Sequence, residues 1–166
     1  MIALFYFIGG YMEEMKNKEK TDTKQVGNLT ELQCITRLYE LGHSISIPYG
    51  DSEKYDFILD VNGNLYKIQC KHADVHKNED GEDDYILLNT SWMSGYTKGN
   101  DWERHIYTKN EIDYFATFYN GKSYLIPVEE CNTQKLLRIL PSKNNQIKGI
   151  NYLTNYLDEK VCWDLL

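Results

Sequence analysis

The chain has 166 residues, 42% of them hydrophobic and 26% charged, with 18 Lys and Arg against 25 Asp and Glu for a net charge of −7. That length suits one domain of roughly 100–200 residues with one ordinary core, and the composition excludes both a disordered and a membrane-spanning chain. The charge excludes a globally basic coat, so contact with a polyanion falls to local patches.

The first eight residues, Met1–Ile8, are apolar. They fall far short of the ~20 residues that cross a bilayer, and they lack the basic lead of a signal peptide. Two readings stand for them: an edge strand or docking segment, or an upstream extension of a chain that starts at Met12 or Met15. Residues 1–25 are accordingly set apart as an N-terminal extension. Cys34, Cys70, Cys131 and Cys162 form no Cys-x-x-Cys pair. This spacing argues for reduced, partly buried thiols in a cytoplasmic protein rather than a zinc ribbon or a disulfide framework.

A helix is expected from about Val26 to Leu41. Leu29, Leu32, Ile35, Leu38, Tyr39 and Leu41 recur at three- and four-residue spacings, the mark of an apolar stripe. Asn28 or Thr30 is the expected cap, and Gly42 stands where a C-terminal glycine belongs. Ser44–Pro48 reads as a short strand. Tyr55–Val61 and Leu65–Lys71 flank Asn62-Gly63-Asn64, a hairpin signal. Residues 74–84 hold six acids against one lysine and read as a solvated loop. Tyr85–Thr90 reads as a strand and residues 91–105 as loop or short helix. Ile112–Tyr119 and Ser123–Val128 flank a second hairpin signal, Asn120-Gly121, and Tyr152–Lys160 looks helical. The order predicts an α/β or α+β domain, one mixed sheet covered by helices.

Chemistry gathers on the first hairpin and the helix before it. Residues two apart on a strand share a face, so Gln69 and Lys71 point together while Cys70 points into the core. The Asn-Gly turn brings Asp56 beside them, and Glu31 lies on the helix. An acid, an amide oxygen and an amine at one sheet edge suit metal-assisted phosphodiester hydrolysis. Mg²⁺ takes oxygen ligands, often only one or two of them carboxylates. It neutralises phosphate and acidifies bound water, and a neighbouring lysine stabilises charge in the transition state. His72 and His76 are four apart, but Ala73 stands where a zinc-protease helix needs Glu. Asp51, five before Asp56, reads either as a further acid of the site or as part of the turn around Gly50, and Glu111 and Asp113 read as structuring the next strand edge.

Gly27-Asn28-Leu29-Thr30-Glu31, Tyr55-Asp56-Phe57 and Ile68-Gln69-Cys70-Lys71 together resemble the PD-(D/E)xK nuclease core. With glutamine in the third position, the pattern is similar to the branch that includes a cyanobacterial group I intron homing endonuclease. Archaeal Holliday junction resolvases share the core. Asn110-Glu111-Ile112-Asp113-Tyr114-Phe115 and Tyr124-Leu125-Ile126-Pro127 extend the resemblance, which covers residues 26–130; residues 131–166 read as a helical extension of the same domain. The resemblance implies a restriction-endonuclease-like fold with a central mixed sheet flanked by helices. It implies Asp56, Glu31, Gln69 and the backbone carbonyl of Cys70 as ligands of Mg²⁺, with Mn²⁺ as an alternative, and Lys71 as the catalytic lysine. The sequence departs from the pattern at Gln69, whose neutral amide holds a cation less tightly than a carboxylate.

The implied function is a Mg²⁺-dependent DNA endonuclease. Its rivals are a junction-selective nuclease of the resolvase kind and a catalytically silent fold that binds DNA or protein. The partners implied are DNA and a second copy in a homodimer or higher homo-oligomer, and no membrane. Residues 134–150 hold Lys135, Arg138, Lys143 and Lys148 and no acid, a candidate phosphate-contacting surface. Lys98 and Arg104 supply another, beside the aromatic stretch Trp92–Trp102. The net negative charge thus concentrates in residues 74–84 and leaves room for one basic face.

Overall fold

The computed structural model describes residues 22–50, 52–95, 102–141 and 148–165. The expectations for Met1–Ile8, Asp51, Lys98 and Lys143 lie outside those residues.

Helix α1 spans Thr23–Glu40, and Asp22 caps it by accepting a hydrogen bond from the Lys24 N–H at 3.0 Å. The start is therefore earlier than expected, and Asn28 and Thr30 are not caps. Thr30 is buried and donates back to the Val26 carbonyl at 3.0 Å. The end falls as read. Gly42, at φ 90°, donates to the Tyr39 carbonyl, and His43 donates to that of Leu38, the paired bonds of a left-handed helix terminus. The buried face is Thr30, Cys34 and Leu38, four residues apart. Leu29, Leu32 (61% exposed) and Tyr39 (71% exposed) look outward, which corrects the expected stripe.

The chain continues through β1 (Ser44–Ser46), β2 (Phe57–Val61), β3 (Asn64–Cys70), β4 (Ala73–Lys77), β5 (Asp83–Asn89), β6 (Ser91–Gly95), β7 (Trp102–Ile106), β8 (Tyr114–Tyr119), β9 (Lys122–Pro127) and β10 (Gln134–Arg138). A short 3₁₀ turn covers Leu153–Tyr156, and α2 covers Asp158–Asp164. Both Asn-Gly hairpins form where read: Asn62 and Gly63, then Asn120 and Gly121, take positive φ at all four positions, as a two-residue turn between twisted strands requires.

The central sheet runs β1-β2-β3-β8-β9, antiparallel except for the parallel pair β3–β8. It is the expected mixed α+β sheet, buried on both sides. Phe57, Leu59, Val61, Ile68, Cys70, Ala116 and Leu125 pack with Cys34 and Leu38 of α1 and Cys162 of α2. On the other face Phe115 and Ile126 meet Ile86, Leu88 and Leu137 of a second sheet, ordered β10-β5-β4. Strand alternation sends neighbouring residues of β8 and β9 into opposite layers. All four cysteines are free and buried.

Three stretches differ from the reading. Residues 74–84 are not a free loop: β4 and β5 pair across a turn organised by Asn78, whose Oδ1 accepts from the N–H groups of Asp80 and Glu82. Within 91–105, β6 and β7 pair into a separate two-stranded ribbon. Residues 134–138 form β10 on the edge beside β5 rather than part of a helical extension. No helix among the described residues is long and apolar enough to cross a membrane.

Candidate active site

The β2–β3 hairpin sets the site. Its register places Phe57 opposite Ile68, and the Asp56 N–H donates to the Ile68 carbonyl at 2.8 Å. Asp56 is thereby fixed at the end of the sheet beside the last residues of β3. Its Oδ2 accepts two hydrogen bonds of 2.6 Å, from Nε2 of Gln69 and from the backbone N–H of Cys70. Gln69 Nε2 also donates to the Cys70 carbonyl at 3.2 Å. The Lys71 N–H donates to the Ala116 carbonyl at 2.9 Å, which anchors the lysine to β8.

The expected quartet is thus brought together. Glu31 reaches it from α1: burial, then the nearby Asp56 charge, raise its pKa. Burial also raises Asp56, against the lowering pull of the Cys70 N–H, Gln69 and Lys71. Lys71 is lowered by burial, with Asp56 and Cys70 pulling the other way. Cys70 turns its thiol toward Cys34, and that contact with burial holds it well above the usual thiol range. Its carbonyl, not its sulfur, is what faces the site.

Tyr107 is the member that the sequence reading missed. It is buried, its ring packs edge-on against Phe115, and its hydroxyl donates a long 3.4 Å hydrogen bond to Gln69 Oε1. The Lys71 Nζ lies 5.2 Å from the ring centroid, within reach of a cation–π contact. Burial pushes the phenol up to about 12, so it keeps its proton and donates. Nothing local singles it out among 14 tyrosines; only the path of β7 back to β3 does.

Other candidates fall elsewhere. His72 and His76 are not on a helix and do not meet: His72 Nδ1 lies 3.3 Å from Thr30 Oγ1, and His76 stacks on Tyr85. Glu111 and Asp113 have structural partners, in the Thr108 N–H and hydroxyl and in the Lys67 N–H. Lys135 corrects the expected basic face. It is 5% exposed, with its ammonium on the Glu130 carbonyl and carboxylate, so it leaves the phosphate-contacting set. Arg138 pairs with Asp84 at 2.6 Å. Lys148 and Arg104 are exposed, the latter on β7.

Among the described residues no group of three or more His, Cys, Asp and Glu is placed to hold a metal ion. The third position of the cluster is an amide, which here turns Nε2 to Asp56 and the Cys70 carbonyl and Oε1 to Tyr107; the oxygens that the cluster offers are all hard donors. Asp56, Glu31, Gln69 Oε1 and that carbonyl fit Mg²⁺ by donor type.

The charges here act against stability at neutral pH. A raised carboxyl pKa means that the stability linked to the protonated form is whole below the ordinary carboxylate range and lost as pH rises through the raised value. For Lys71, lowered in the fold, stability is gained as pH rises from the lowered value to the ordinary lysine range. Asp56→Asn keeps an acceptor for both donors and removes one charge. It is expected to melt at or above the unsubstituted protein at pH 7 and to lose that advantage as pH falls well below ~4, the ordinary Asp value, where Asp56 is protonated folded or unfolded. Thermal denaturation across pH checks this.

Residues 21–159 match the family model described as PD-(D/E)XK endonuclease. A solved structure, that of a bacterial homing endonuclease, I-Ssp6803I, matches with a TM-score of 0.65 at 21% identity, over 87% of this chain and 92% of that one. That likeness shows a shared fold. No curated protein matches the chain.

Proposed function

The chain belongs to the PD-(D/E)XK endonuclease family, and from that premise we propose that it is a Mg²⁺-dependent DNA endonuclease acting through Asp56, Glu31, Gln69 and Lys71. The observation that carries the reading is the convergence of Asp56, Gln69, the Cys70 carbonyl and Lys71 at the end of β3. Nucleases of this family generally use divalent metals. Held by Asp56, Glu31, Gln69 and the Cys70 carbonyl, Mg²⁺ (or Mn²⁺) supplies positive charge to the scissile phosphate and acidity to water. Asp56 and Glu31, strained as anions by burial, favour a cation near them. Lys71, lowered by burial, exchanges a proton with attacking water more readily than an exposed lysine does, and in its charged form it steadies the phosphate.

Residues 26–130 form the nuclease core in this reading, and 131–166 complete the same domain. Two strands are cut by two sites, so the protein acts as a homodimer or higher homo-oligomer. Four free, buried thiols suit the reducing cytoplasm.

The duplex is met by the β6–β7 ribbon, which leads straight into Tyr107. Its register pairs Met93 with Arg104 and Gly95 with Trp102 on one face. That face is exposed, Trp102 at 59%, while Trp92 and His105 stack on the other. A two-stranded ribbon fits the major groove. Lys98, Lys143 and Lys148 are assigned to phosphate. Arg104→Ala is expected to weaken duplex binding about tenfold, with a shallower salt dependence, read by gel shift at several salt concentrations.

The test of the function is cleavage of supercoiled and four-way-junction DNA with Mg²⁺, Mn²⁺ or EDTA, beside Lys71→Ala. Cleavage that needs the metal and Lys71 supports the enzyme. Cutting confined to junctions supports the resolvase-like reading. DNA binding without cleavage of any substrate supports a silent binding module, the reading that Gln69 favours.

A further inference from the structure

The Gln69 side chain has three polar neighbours, and their chemistry fixes which way its amide faces. Asp56 Oδ2 and the Cys70 carbonyl are acceptors without a hydrogen to give, and Nε2 stands 2.6 and 3.2 Å from them. The Tyr107 hydroxyl, which can donate, lies on the Oε1 side at 3.4 Å. An amide turned over would set Oε1 against two oxygen acceptors and leave its N–H bonds only the Tyr107 hydroxyl oxygen. The N–H face therefore points at Asp56 and Cys70, the same two residues whose oxygens the proposed function gives to a metal.

We propose that Gln69 is an internal latch on the metal site: its amide N–H group satisfies Asp56 and the Cys70 carbonyl by itself, and a divalent cation enters only as the amide turns its oxygen inward, against the hold of Tyr107. The inference rests on the metal-site reading above and goes beyond it. A glutamate at this position sets a second carboxylate beside Asp56, and the pair then needs a cation or a proton. The amide removes that need. The hairpin end is assembled without metal, and metal binding is weakened by the bonds that must first break. Tyr107 acts through Gln69 and is a positioning residue.

Two measurements test this without cleavage. The first follows the Gln69 side-chain NH₂ signals in ¹H–¹⁵N spectra, assigned by their loss in Gln69→Glu, during a MgCl₂ titration matched to calorimetry. The signals are expected to shift with the same midpoint as the heat. Unmoved signals at saturation overturn the latch. The second compares melting in EDTA and in Mg²⁺. Gln69→Glu is expected to melt several degrees lower than the unsubstituted protein in EDTA, to recover in Mg²⁺, and to bind Mg²⁺ about tenfold tighter, one charge having been added at close range. Equal melting in EDTA overturns the proposal. Tyr107→Phe keeps the ring on Phe115 and removes the hydroxyl; it is expected to tighten Mg²⁺ about threefold, in line with one long hydrogen bond, and weaker binding overturns the role given to Tyr107. If neither protein takes up Mg²⁺, the metal-site reading itself fails, a result distinct from a bound metal with an unmoved amide.

Discussion

Asp56→Asn is expected to lower phosphodiester cleavage by about 10³-fold or more, since removing one preorganised electrostatic group at a reacting centre costs 10²–10³ and the loss of a metal-holding charge adds to it. The asparagine keeps the shape of the hairpin end. Its carbonyl accepts from the Cys70 N–H and from Gln69 Nε2 as Oδ2 does at 2.6 Å. Melting at pH 7 therefore stays level or rises, so the fall in rate reports chemistry rather than unfolding. Alanine at the same position is a poorer probe, because it strips the buried Cys70 N–H of its acceptor, at about 1–3 kcal/mol, and leaves Gln69 Nε2 only the Cys70 carbonyl. Full cleavage by Asp56→Asn in Mg²⁺ refutes the site assignment.

Asp158→Ala is expected to be among the most damaging single changes to stability, at about 3 kcal/mol. Asp158 opens α2 and is 0% exposed. Its Oδ2 accepts from Arg37 Nε at 3.2 Å and from the Ser123 hydroxyl at 2.7 Å, and its Oδ1 from the Glu159 N–H at 2.7 Å. One carboxylate thus joins α1, β9 and α2. Arg37 also reaches Glu159, but that partner is half-exposed and screened, so it replaces little of what is lost. Removal leaves a largely buried guanidinium and a buried hydroxyl without their acceptor. Urea denaturation reads the loss, and Asp158→Asn, which keeps an acceptor for Ser123, is expected to lose about half as much. Because Arg37 lies on the helix that carries Glu31, cleavage by Asp158→Ala should also fall at temperatures below its melting point.

Local rules made part of this molecule legible. The two Asn-Gly turns specify their own backbone, since positive φ at both positions is easy for Asn and Gly alone, and the first of them fixes the β2–β3 register. Once that register is fixed, Asp56, Gln69 and Lys71 must meet. The end of α1 was equally local, because Gly42 accepts a left-handed conformation.

Pairings with distant parts of the chain were not legible. In β10, Lys135 occupies an inward position and breaks the apolar alternation of a buried strand. It is tolerated because Glu130 receives the ammonium and the ring of Tyr156 lies 5.0 Å from it. In β4 and its turn the acids read as loop, since half-exposed strands carry charge on their solvent side. The inner face of α1 was hidden for a related reason. Thr30 and Cys34 face the core with Leu38, while Leu29 and Leu32 look outward, so hydrophobicity alone placed only part of the stripe on the right side.

The amino-acid sequence by itself determined the mixed α+β class, both hairpins and three of the residues at the candidate site, Asp56, Gln69 and Lys71, because turns and strand alternation act over a few residues. Only the tertiary structure decided that Tyr107 joins them, that Lys135 is buried, and that the amide of Gln69 presents its N–H face to Asp56. Those facts depend on which remote groups donate and which accept, and a hydrogen bond between strands far apart in the chain leaves no periodic mark on either.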